Sequence, residues 1–322
     1  MPHGIAHVQH HAHSPGVQPQ CLMRKILLHL DSSPQPSVFD RVVAIDDGGA
    51  DELLSYGGVT PDAVRDLVHG VMFTRGPRDL HNSAIFIGGA DMRAGEALLA
   101  AVQKAFFGPL RVSVMLDSNG SNTTAVAAVA KLVQSIGDVR GRRAVVVAGT
   151  GPVGTRAAGL LARAGARVTI TSRHRDEADR VAAHITERFG GSVDAIVVTD
   201  PSRLAPALGD AELVLNAGPA GVRLVPRDAW ASRGTLRVAA DLNAVPPLGI
   251  EGIEPADAGV DRDGTTVFGA LGVGNFKMKL HKRCIAKLFE RNDLVLDAES
   301  IDDVAGELTS TTPTAPSVPP PG

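Results

Sequence analysis

The chain of 322 residues is predicted to be an α/β protein with two parallel-sheet domains, one of them a Rossmann domain, and a cleft between them. Apolar strands alternate with helical segments along most of the sequence, which is the pattern of parallel sheets. A Gly-x-Gly-x-x-Gly motif follows the apolar strand at 144–148 and opens a helix. Hydrophobic residues form 44% of the chain, so both domains can have a core of their own.

The first half of the chain predicts repeated strand–helix units. Strands are predicted at 25–30, 51–55, 83–87 and 111–116. Helices are predicted at 37–46, from Thr60 onward, at 91–107 and at 123–136. Ser37 and Thr60 are expected to cap the first two helices, because a hydroxyl can accept hydrogen bonds from the unpaired N–H groups of the first turn.

The second half continues the same alternation around the glycine motif. Strands are predicted at 144–148, 167–171, 195–199, 211–216 and 237–241, and a last helix is predicted at 275–291. The last helix is expected to return to the first domain. The predicted division is a disordered extension at 1–22, a substrate domain at 23–122 and 286–309, a Rossmann domain at 123–285 and a disordered tail at 310–322.

The two termini differ in composition from the rest of the chain. Five of the eleven histidines lie before residue 14, and the C-terminal tail is rich in proline and threonine. A His-rich tract can bind metal, but a disordered extension or a misassigned start explains this one more simply. No metal site is predicted.

Composition excludes several classes of function. The net charge is −3, the isoelectric point is near 6.4 and aromatic residues are 3% of the chain, so nucleic-acid binding is not expected. No apolar run reaches the roughly 18 residues of a membrane span. Cys21 and Cys284 are the only cysteines. Two isolated thiols indicate a reducing compartment, and we expect a cytoplasmic protein.

The glycine motif predicts a bound dinucleotide. Gly149 is expected to allow a tight turn, Gly151 to let the backbone approach a pyrophosphate, and Gly154 to let the helix pack against the strand. Thr150, Pro152 and Val153 complete the predicted phosphate loop. The alternative is a glycine-rich strand–helix turn without a ligand, which the strand–helix–strand context disfavours.

The end of the next strand indicates which dinucleotide binds. Ser172, Arg173 and Arg175 stand where an NAD site usually carries a carboxylate. Hydroxyl and guanidinium groups suit a 2′-phosphate, so NADP is predicted, with NAD as the weaker alternative. The remaining interpretation is that these arginines are only solvated.

Four more loops follow predicted strands and are candidates for ligand contacts. The loop at 116–124 has more polar side chains than one helix cap needs, although an elaborate cap remains the alternative. The loop at 216–221 contributes Asn216, Ala217 and Gly218 to the predicted cofactor site. Asn243, in the loop at 241–249, and Ala270, in the small-residue segment at 269–275, are added to it.

The last helix carries Lys277, His281 and Cys284 on one face. Lys277 is predicted in its first turn, where the helix dipole disfavours a cation, so it is a candidate functional residue. A lysine that only reaches to water is the alternative. His281 and Cys284 are more simply read as structural and core residues. The sequence offers no convincing acid–base pair.

Several of these segments resemble the NADP-dependent methylene-tetrahydromethanopterin dehydrogenases of bacterial one-carbon metabolism. The resemblance spans about residues 23–309 and is carried by 37–40, 107–109, 115–124, 148–154, 243–249 and 268–281. It implies hydride transfer from the methylene carbon of a reduced pterin to NADP, which leaves a methenyl cation and needs no general base. It also implies a homo-oligomer, as a trimer or a multiple of one.

By the same resemblance, Lys277 would orient the pterin and is the catalytic candidate. The implied pterin pocket contains Phe39, Asp117, Asn119, Thr123, Lys277 and His281. A tetrahydrofolate carrier would share the reacting centre. A shikimate-type dehydrogenase and a non-catalytic NADP-binding protein are the remaining alternatives.

Overall fold

The computed structural model describes residues 23–46 and 48–310. The predicted N-terminal extension lies outside these residues, and so does the predicted tail except for its first residue. That residue, Ser310, ends a helix, so the tail prediction began one residue early. No helix in the described part of the chain is long and apolar enough to cross a membrane.

The first sheet has five strands, which are β1 (Ile26–Asp31), β2 (Glu52–Tyr56), β3 (Ser83–Gly88), β4 (Ser113–Leu116) and β12 (Val295–Leu296). All five strands are parallel, and their order in the sheet is β12-β4-β3-β1-β2. Its connecting helices are α1 (Val38–Asp46), α2 (Pro61–Phe73) and α3 (Met92–Lys104). The central strand β3 is buried along its whole length, as expected for a parallel sheet covered on both faces.

The second sheet has seven strands, which are β5 (Arg143–Val147), β6 (Arg167–Ser172), β7 (Ser192–Val197), β8 (Leu213–Asn216), β9 (Val238–Asp241), β10 (Ala258–Arg262) and β11 (Thr265–Phe268). Their order in the sheet is β10-β11-β9-β8-β5-β6-β7, and only β10 runs antiparallel. Its helices are α5 (Pro152–Arg163), α6 (Arg175–Phe189), α7 (Leu204–Leu208) and α8 (Arg227–Trp230). The chain order reverses at β5, as in a Rossmann-like sheet.

Three further helices lie between the two sheets: α4 (Ser121–Ile136), α9 (Ala270–Lys287) and α10 (Ala298–Ser310). One hydrophobic cluster runs from Leu27 of β1 through Val126 of α4 to Val146 of β5. The predicted α/β architecture is confirmed. The predicted domain boundaries at 122/123 and 285/286 fall inside α4 and α9, and the division itself stays a prediction.

Two local predictions were wrong. The last helix begins at Ala270, five residues before the predicted start, so Lys277 lies in its third turn and not in its first. Gly272 packs against the carbonyl group of Asp257, which leaves no room for a Cβ atom and explains the small residue there. Thr60 stands at the start of α2 but makes no side-chain cap hydrogen bond, whereas Ser37 Oγ accepts one from Asp40 N at 3.2 Å.

Candidate functional site

The glycine motif forms the turn between β5 and α5. A Cβ atom on Gly149 would lie 2.6 Å from Ile170 Cβ, and one on Gly154 would lie 2.8 Å from the carbonyl oxygen of Ala148. Both glycines are therefore needed for close packing. A Cβ on Gly151 would meet only the Ala148 oxygen, at 3.7 Å. This open space beside the first N–H groups of α5 fits an approaching phosphate.

The sharp turn of the motif lies at Ala148 and not at Gly149. Ala148 has a φ angle of 55°, in the left-handed region that residues with a Cβ atom seldom adopt. Holding alanine there costs about 1 kcal/mol. The prediction that Gly149 supplies the turn was therefore wrong, because its role is to make room for β6. Strained backbone of this kind is concentrated at ligand sites.

The carboxyl ends of β5, β6 and β8 border a cavity of about 650 Å³. Most of the predicted cofactor residues line it: Thr150, Gly151, Pro152, Val153, Ser172, Arg173, Ala217 and Gly218. Its position at the strand ends agrees with the general placement of ligands in open α/β sheets. The residues present fit a dinucleotide, because an open cradle at Gly151 and a hydroxyl–guanidinium pair at Ser172 and Arg173 share one cavity.

The other predicted cofactor residues do not border this cavity. Gly149 and Gly154 pack beneath the loop, and Ala270 is the first residue of α9. Arg175 turns its guanidinium away and donates hydrogen bonds to Asp179 Oδ1 at 3.1 Å and to the Ala195 carbonyl oxygen at 3.2 Å. Arg175 therefore does not reach the place that the sequence analysis gave it.

Asn216 and Asn243 are buried and shape the adjacent loops. Asn216 Nδ2 donates to Asp241 Oδ1 at 2.8 Å, and its side-chain oxygen accepts from Gly218 N at 3.2 Å. Asn243 Oδ1 accepts from Val245 N at 2.9 Å. Asn216 thereby holds a loop whose residues Ala217 and Gly218 line the cavity, and Asn243 Oδ1 also accepts from Gly221 N of the same loop at 3.3 Å.

A second cavity, of about 340 Å³, lies at the carboxyl end of the first sheet. Its lining contains Phe39, Asn119 and Lys277 from the predicted pterin pocket, together with residues not predicted: Asp31, Ser33, Gln35, Ser37, Asp40, Gly89, Ala90, Gly120 and Thr124. Asn119 also lines the first cavity. Its φ angle of 54° is one that asparagine tolerates better than most residues. The two cavities thus meet at Asn119.

Asp117, Thr123 and His281 lie behind the second cavity and do not line it, contrary to their predicted place in the pocket. Asp117 Oδ1 accepts from the backbone N–H groups of Asn122 and Thr123 at 2.9 and 3.0 Å, and Asp117 Oδ2 accepts from Thr123 Oγ1 at 2.6 Å. These bonds satisfy the open N-terminus of α4. Asp117 therefore pairs with the start of α4, a role that the sequence analysis did not assign to it, while Asn119, two residues further on, lines both cavities.

His281 lies between two carboxylates, in a cluster that the sequence analysis did not find. Its Nδ1 is 3.3 Å from Asp117 Oδ2, and its Nε2 is 4.0 Å from Asp40 Oδ1. The ring is fully buried and meets Phe39 and Phe86 at centroid distances of 6.2 and 5.6 Å. Asp40, Asp117 and His281 come from α1, the end of β4 and α9, so no spacing along the chain signals them.

Burial raises the pKa of Asp40 above its ordinary range. The charges of His281 and Lys277 and a hydrogen bond from Ser37 oppose this rise in pKa, and the charge of Asp117 adds to it. Burial is the largest cause of this rise, and the charge of Lys277, which lines the same cavity, favours the ionised form of Asp40. Burial also raises the pKa of Cys284, so this thiol is an unreactive core group, as the sequence suggested.

A buried arginine, also missed by the sequence analysis, joins elements from both halves of the structure by hydrogen bonds. Arg156 of α5 donates to the side-chain oxygen of Asn122, to the Pro152 carbonyl oxygen at 3.1 Å and to Glu96 Oε1 at 2.7 Å. It thereby connects the glycine loop, the start of α4 and helix α3.

Among the described residues, no group of three or more His, Cys, Asp or Glu side chains could hold a metal ion.

Comparisons with known proteins place the chain in one family. A family model described as "Methylene-tetrahydromethanopterin dehydrogenase, N-terminal" matches residues 38–119. The protein named Bifunctional protein MdtA, from Methylorubrum extorquens, is 49% identical over 288 residues that cover 89% of this chain and all of that protein. The chain belongs to the methylene-tetrahydromethanopterin dehydrogenase family.

A second protein of the same organism, named NAD(P)-dependent methylenetetrahydromethanopterin dehydrogenase, is 34% identical over 296 residues, covering 89% of this chain and 99% of that protein. A further model, described as "Saccharopine dehydrogenase NADP binding domain", matches residues 145–235. That range contains the glycine loop and the Ser172–Arg173 pair of this methylene-tetrahydromethanopterin dehydrogenase family member.

Solved structures extend the likeness at the level of the fold. The shikimate 5-dehydrogenase of Listeria monocytogenes has a TM-score of 0.53 and 14% identity, covering 88% of this chain and 96% of that one. The ornithine carbamoyltransferase of Pyrococcus furiosus has a TM-score of 0.52 and 15% identity, covering 82% and 84%. The TM-scores show that this chain shares its fold with these enzymes. Because the sequence identities are so low, the likeness is evidence for the fold alone.

Sequence reasoning missed Glu177 as well. Its side chain lines the first cavity together with Arg173 and His174, so an anion faces the region predicted for the 2′-phosphate. Glu177 lies in the first turn of α6, where a carboxylate also interacts favourably with the helix dipole. The first turn of a helix that follows a cofactor-binding strand also faces the ligand. The position of Glu177 in such a turn could therefore have identified it as a cavity residue.

Proposed function

We propose that the protein oxidises the methylene bridge of methylene-tetrahydromethanopterin and passes the hydride to NADP. The observation that carries this proposal is the meeting of the two cavities at Asn119. A dinucleotide in the first cavity and a flat substrate in the second would have their reacting ends side by side. Proximity and orientation are then the protein's main contribution to the rate.

The first cavity supplies the groups that would hold the cofactor. The backbone at Gly151 and the start of α5 would accept the pyrophosphate, and Ser172 and Arg173 would contact the 2′-phosphate. When bound, NADP supplies the hydride acceptor. Glu177 lines the same cavity as Arg173 and reduces the net positive charge there. Arg173 supports NADP as the preferred cofactor, and Glu177 supports NAD as a weaker one.

The second cavity supplies the groups that would hold the reduced pterin. Phe39 offers an aromatic face, and the ammonium group of Lys277 lies over it, 4.6 Å from the ring centroid. We assign Lys277 the orientation of the pterin and Asn119 the contact with both ligands. The groups that contact the pterin are backed by three residues that do not line the cavity: Asp117, Thr123 and His281. No proton has to leave the substrate in the hydride step, so no general base is needed.

Assembly and location complete the proposal. We propose a homo-oligomer in the cytoplasm, as a trimer or a multiple of one. Val38, Val42 and Ile45 support self-association, because they are 70%, 49% and 56% exposed and lie on one face of α1. Light scattering on the purified protein measures the subunit number, and a monomer would contradict this part.

The function is tested by following NADPH formation with methylene-tetrahydromethanopterin and, in parallel, with methylene-tetrahydrofolate. We expect turnover with both carriers and a higher kcat/KM with the methanopterin carrier. A higher value for the folate carrier would reassign the substrate. Tight NADP binding without turnover on either carrier would indicate a non-catalytic NADP-binding protein.

A further inference from the structure

Three titratable side chains connect the second cavity with the protein interior. Asp40 lines the cavity, while His281 and Asp117, which follows β4, are buried behind it. The atoms follow one another at 4.0 Å from Asp40 Oδ1 to His281 Nε2 and at 3.3 Å from His281 Nδ1 to Asp117 Oδ2. Each ring nitrogen therefore faces one carboxylate.

The inner end of this chain of groups is fixed. Asp117 accepts three hydrogen bonds from the first residues of α4, so its carboxylate cannot turn without uncapping that helix. The ring of His281 is buried and contacts the rings of Phe39 and Phe86. A proton on Nε2 faces Asp40 Oδ1 and a proton on Nδ1 faces Asp117 Oδ2, so a ring that carries both protons attracts both carboxylates and can hold Asp40 relative to the interior.

The proposed reaction changes the charge of the ligand in the second cavity. The methylene carbon loses a hydride with its electron pair, and the pterin side becomes a methenyl cation while the nicotinamide side loses its positive charge. Lys277 lines the same cavity and, as a cation, opposes a positive charge there. Asp40 is next to Phe39 in the chain, and its charge interacts with that of Lys277. A carboxylate in this place offsets the lysine and attracts the product cation.

We propose that Asp40 is the electrostatic partner of the cation that forms on the pterin, and that His281, anchored by Asp117, is the positioning residue that holds Asp40 in place. This inference rests on the proposed function. It assigns Asp40 to the charge of the product and not to general recognition of the pterin, so Asp40 distinguishes the methenyl form of the carrier from the methylene form.

The test is equilibrium binding of both forms of the carrier to the full protein, measured by calorimetry, with Asp40→Asn as the main variant. We expect Asp40→Asn to weaken methenyl binding by at least about tenfold and methylene binding by less than about threefold, because only the methenyl form carries the charge. His281→Asn should change the ratio of the two affinities in the same direction but less. Asp40→Glu keeps the charge and should retain most of the preference.

Asp46→Asn is the matched control, because it removes the same charge from the exposed end of the same helix. It should leave both affinities unchanged. Equal weakening of both forms in Asp40→Asn would overturn the inference, since Asp40 would then be a general pterin contact, and so would unchanged affinities. Wild-type NADPH formation is measured alongside. Its absence would refute the proposed function and this inference with it, whereas turnover with an unchanged affinity ratio would refute only the role of Asp40.

Discussion

The ammonium nitrogen of Lys277 lies over the face of the Phe39 ring, 4.6 Å from its centroid. Phe39 comes from α1 and Lys277 from α9, so the contact closes the second cavity from two separate elements. A cation–π contact fixes the amine and leaves its N–H groups able to donate to a ligand. The pair therefore offers an aromatic surface and a hydrogen-bond donor to a flat substrate.

Replacing Lys277 with alanine should lower kcat by more than about tenfold and leave the Kd of NADP nearly unchanged, because the amine orients the pterin and not the cofactor. Steady-state kinetics and NADP titration measure the two effects. Lys279→Ala is the control, since Lys279 is exposed on the same helix and lines neither cavity. If NADP binding fell as much as kcat, Lys277 would be a structural residue.

Arg173→Ala should weaken NADP binding by about 10- to 100-fold and NAD binding by much less, because only NADP carries the 2′-phosphate. The Kd values of the two cofactors, measured by calorimetry, check this. Arg175→Ala is the matched control, because the Arg175 guanidinium is bonded to Asp179 and Ala195 and does not line the cavity. A larger loss of NADP affinity in the Arg175 variant would reverse the assignment of the phosphate contact.

Glu177→Gln should change cofactor preference in the opposite direction. Glu177 lines the same cavity as Arg173, and removing its carboxylate removes its repulsion of a 2′-phosphate, so the ratio of NADP to NAD affinity should rise by about three- to tenfold. The same calorimetric titrations report this ratio, and repeating them in high salt should reduce the effect. No change in the ratio would mean that Glu177 does not interact with the phosphate.

His29 should make the protein less stable in mild acid. Burial lowers the pKa of His29 from its ordinary value of 6.5 to about 4, while the nearby Asp31 carboxylate opposes this and Arg41 adds to it. The unfolded chain therefore binds more protons between these values, and the free energy of unfolding falls as the pH falls from 6.5 towards 4. His29 should contribute a loss of about 2 kcal/mol between pH 7 and pH 5.

Urea unfolding at both pH values measures that loss. His29→Gln has no group that titrates in this range, so its free energy of unfolding should depend less on pH by the same amount. The comparison uses the difference between the two pH values, so any packing defect of the variant cancels. An identical pH dependence of wild type and variant would refute the prediction.

Local pattern was enough to predict β1 to β9, most helices and the phosphate loop, but it did not reveal β10, β11 and β12. The apolar run at β5 and the glycines after it are neighbours in sequence, and the structure joins them directly. Ser172 ends β6 and Arg173 follows it, and both residues line the cavity. What could be read from consecutive residues was therefore mostly correct.

The start of α9 was misjudged because its glycines look like a loop. Gly272 and Gly274 disfavour a helix by local propensity, yet close packing of Gly272 against Asp257 outweighs that cost. The same segment was predicted to contribute Ala270 to the cofactor site, whereas Ala270 does not line the cavity. Tertiary packing, which a single sequence does not reveal, decided this segment.

The pocket predicted for the pterin was half right for a similar reason. Phe39, Asn119 and Lys277 line the second cavity, whereas Asp117 and His281 lie behind it. A polar residue after a strand can cap the next helix or face the ligand, and sequence does not distinguish the two. Asp40 was missed because its partners are distant in the chain.

The central claim is a direct hydride transfer between ligands in the two adjoining cavities, and isotope transfer tests it most directly. The methylene carbon of the methanopterin carrier is labelled with deuterium, and the NADPH formed in ordinary water is examined by mass spectrometry. The account predicts one deuterium per NADPH and slower turnover than with the unlabelled carrier. NADPH that carries no deuterium would contradict it.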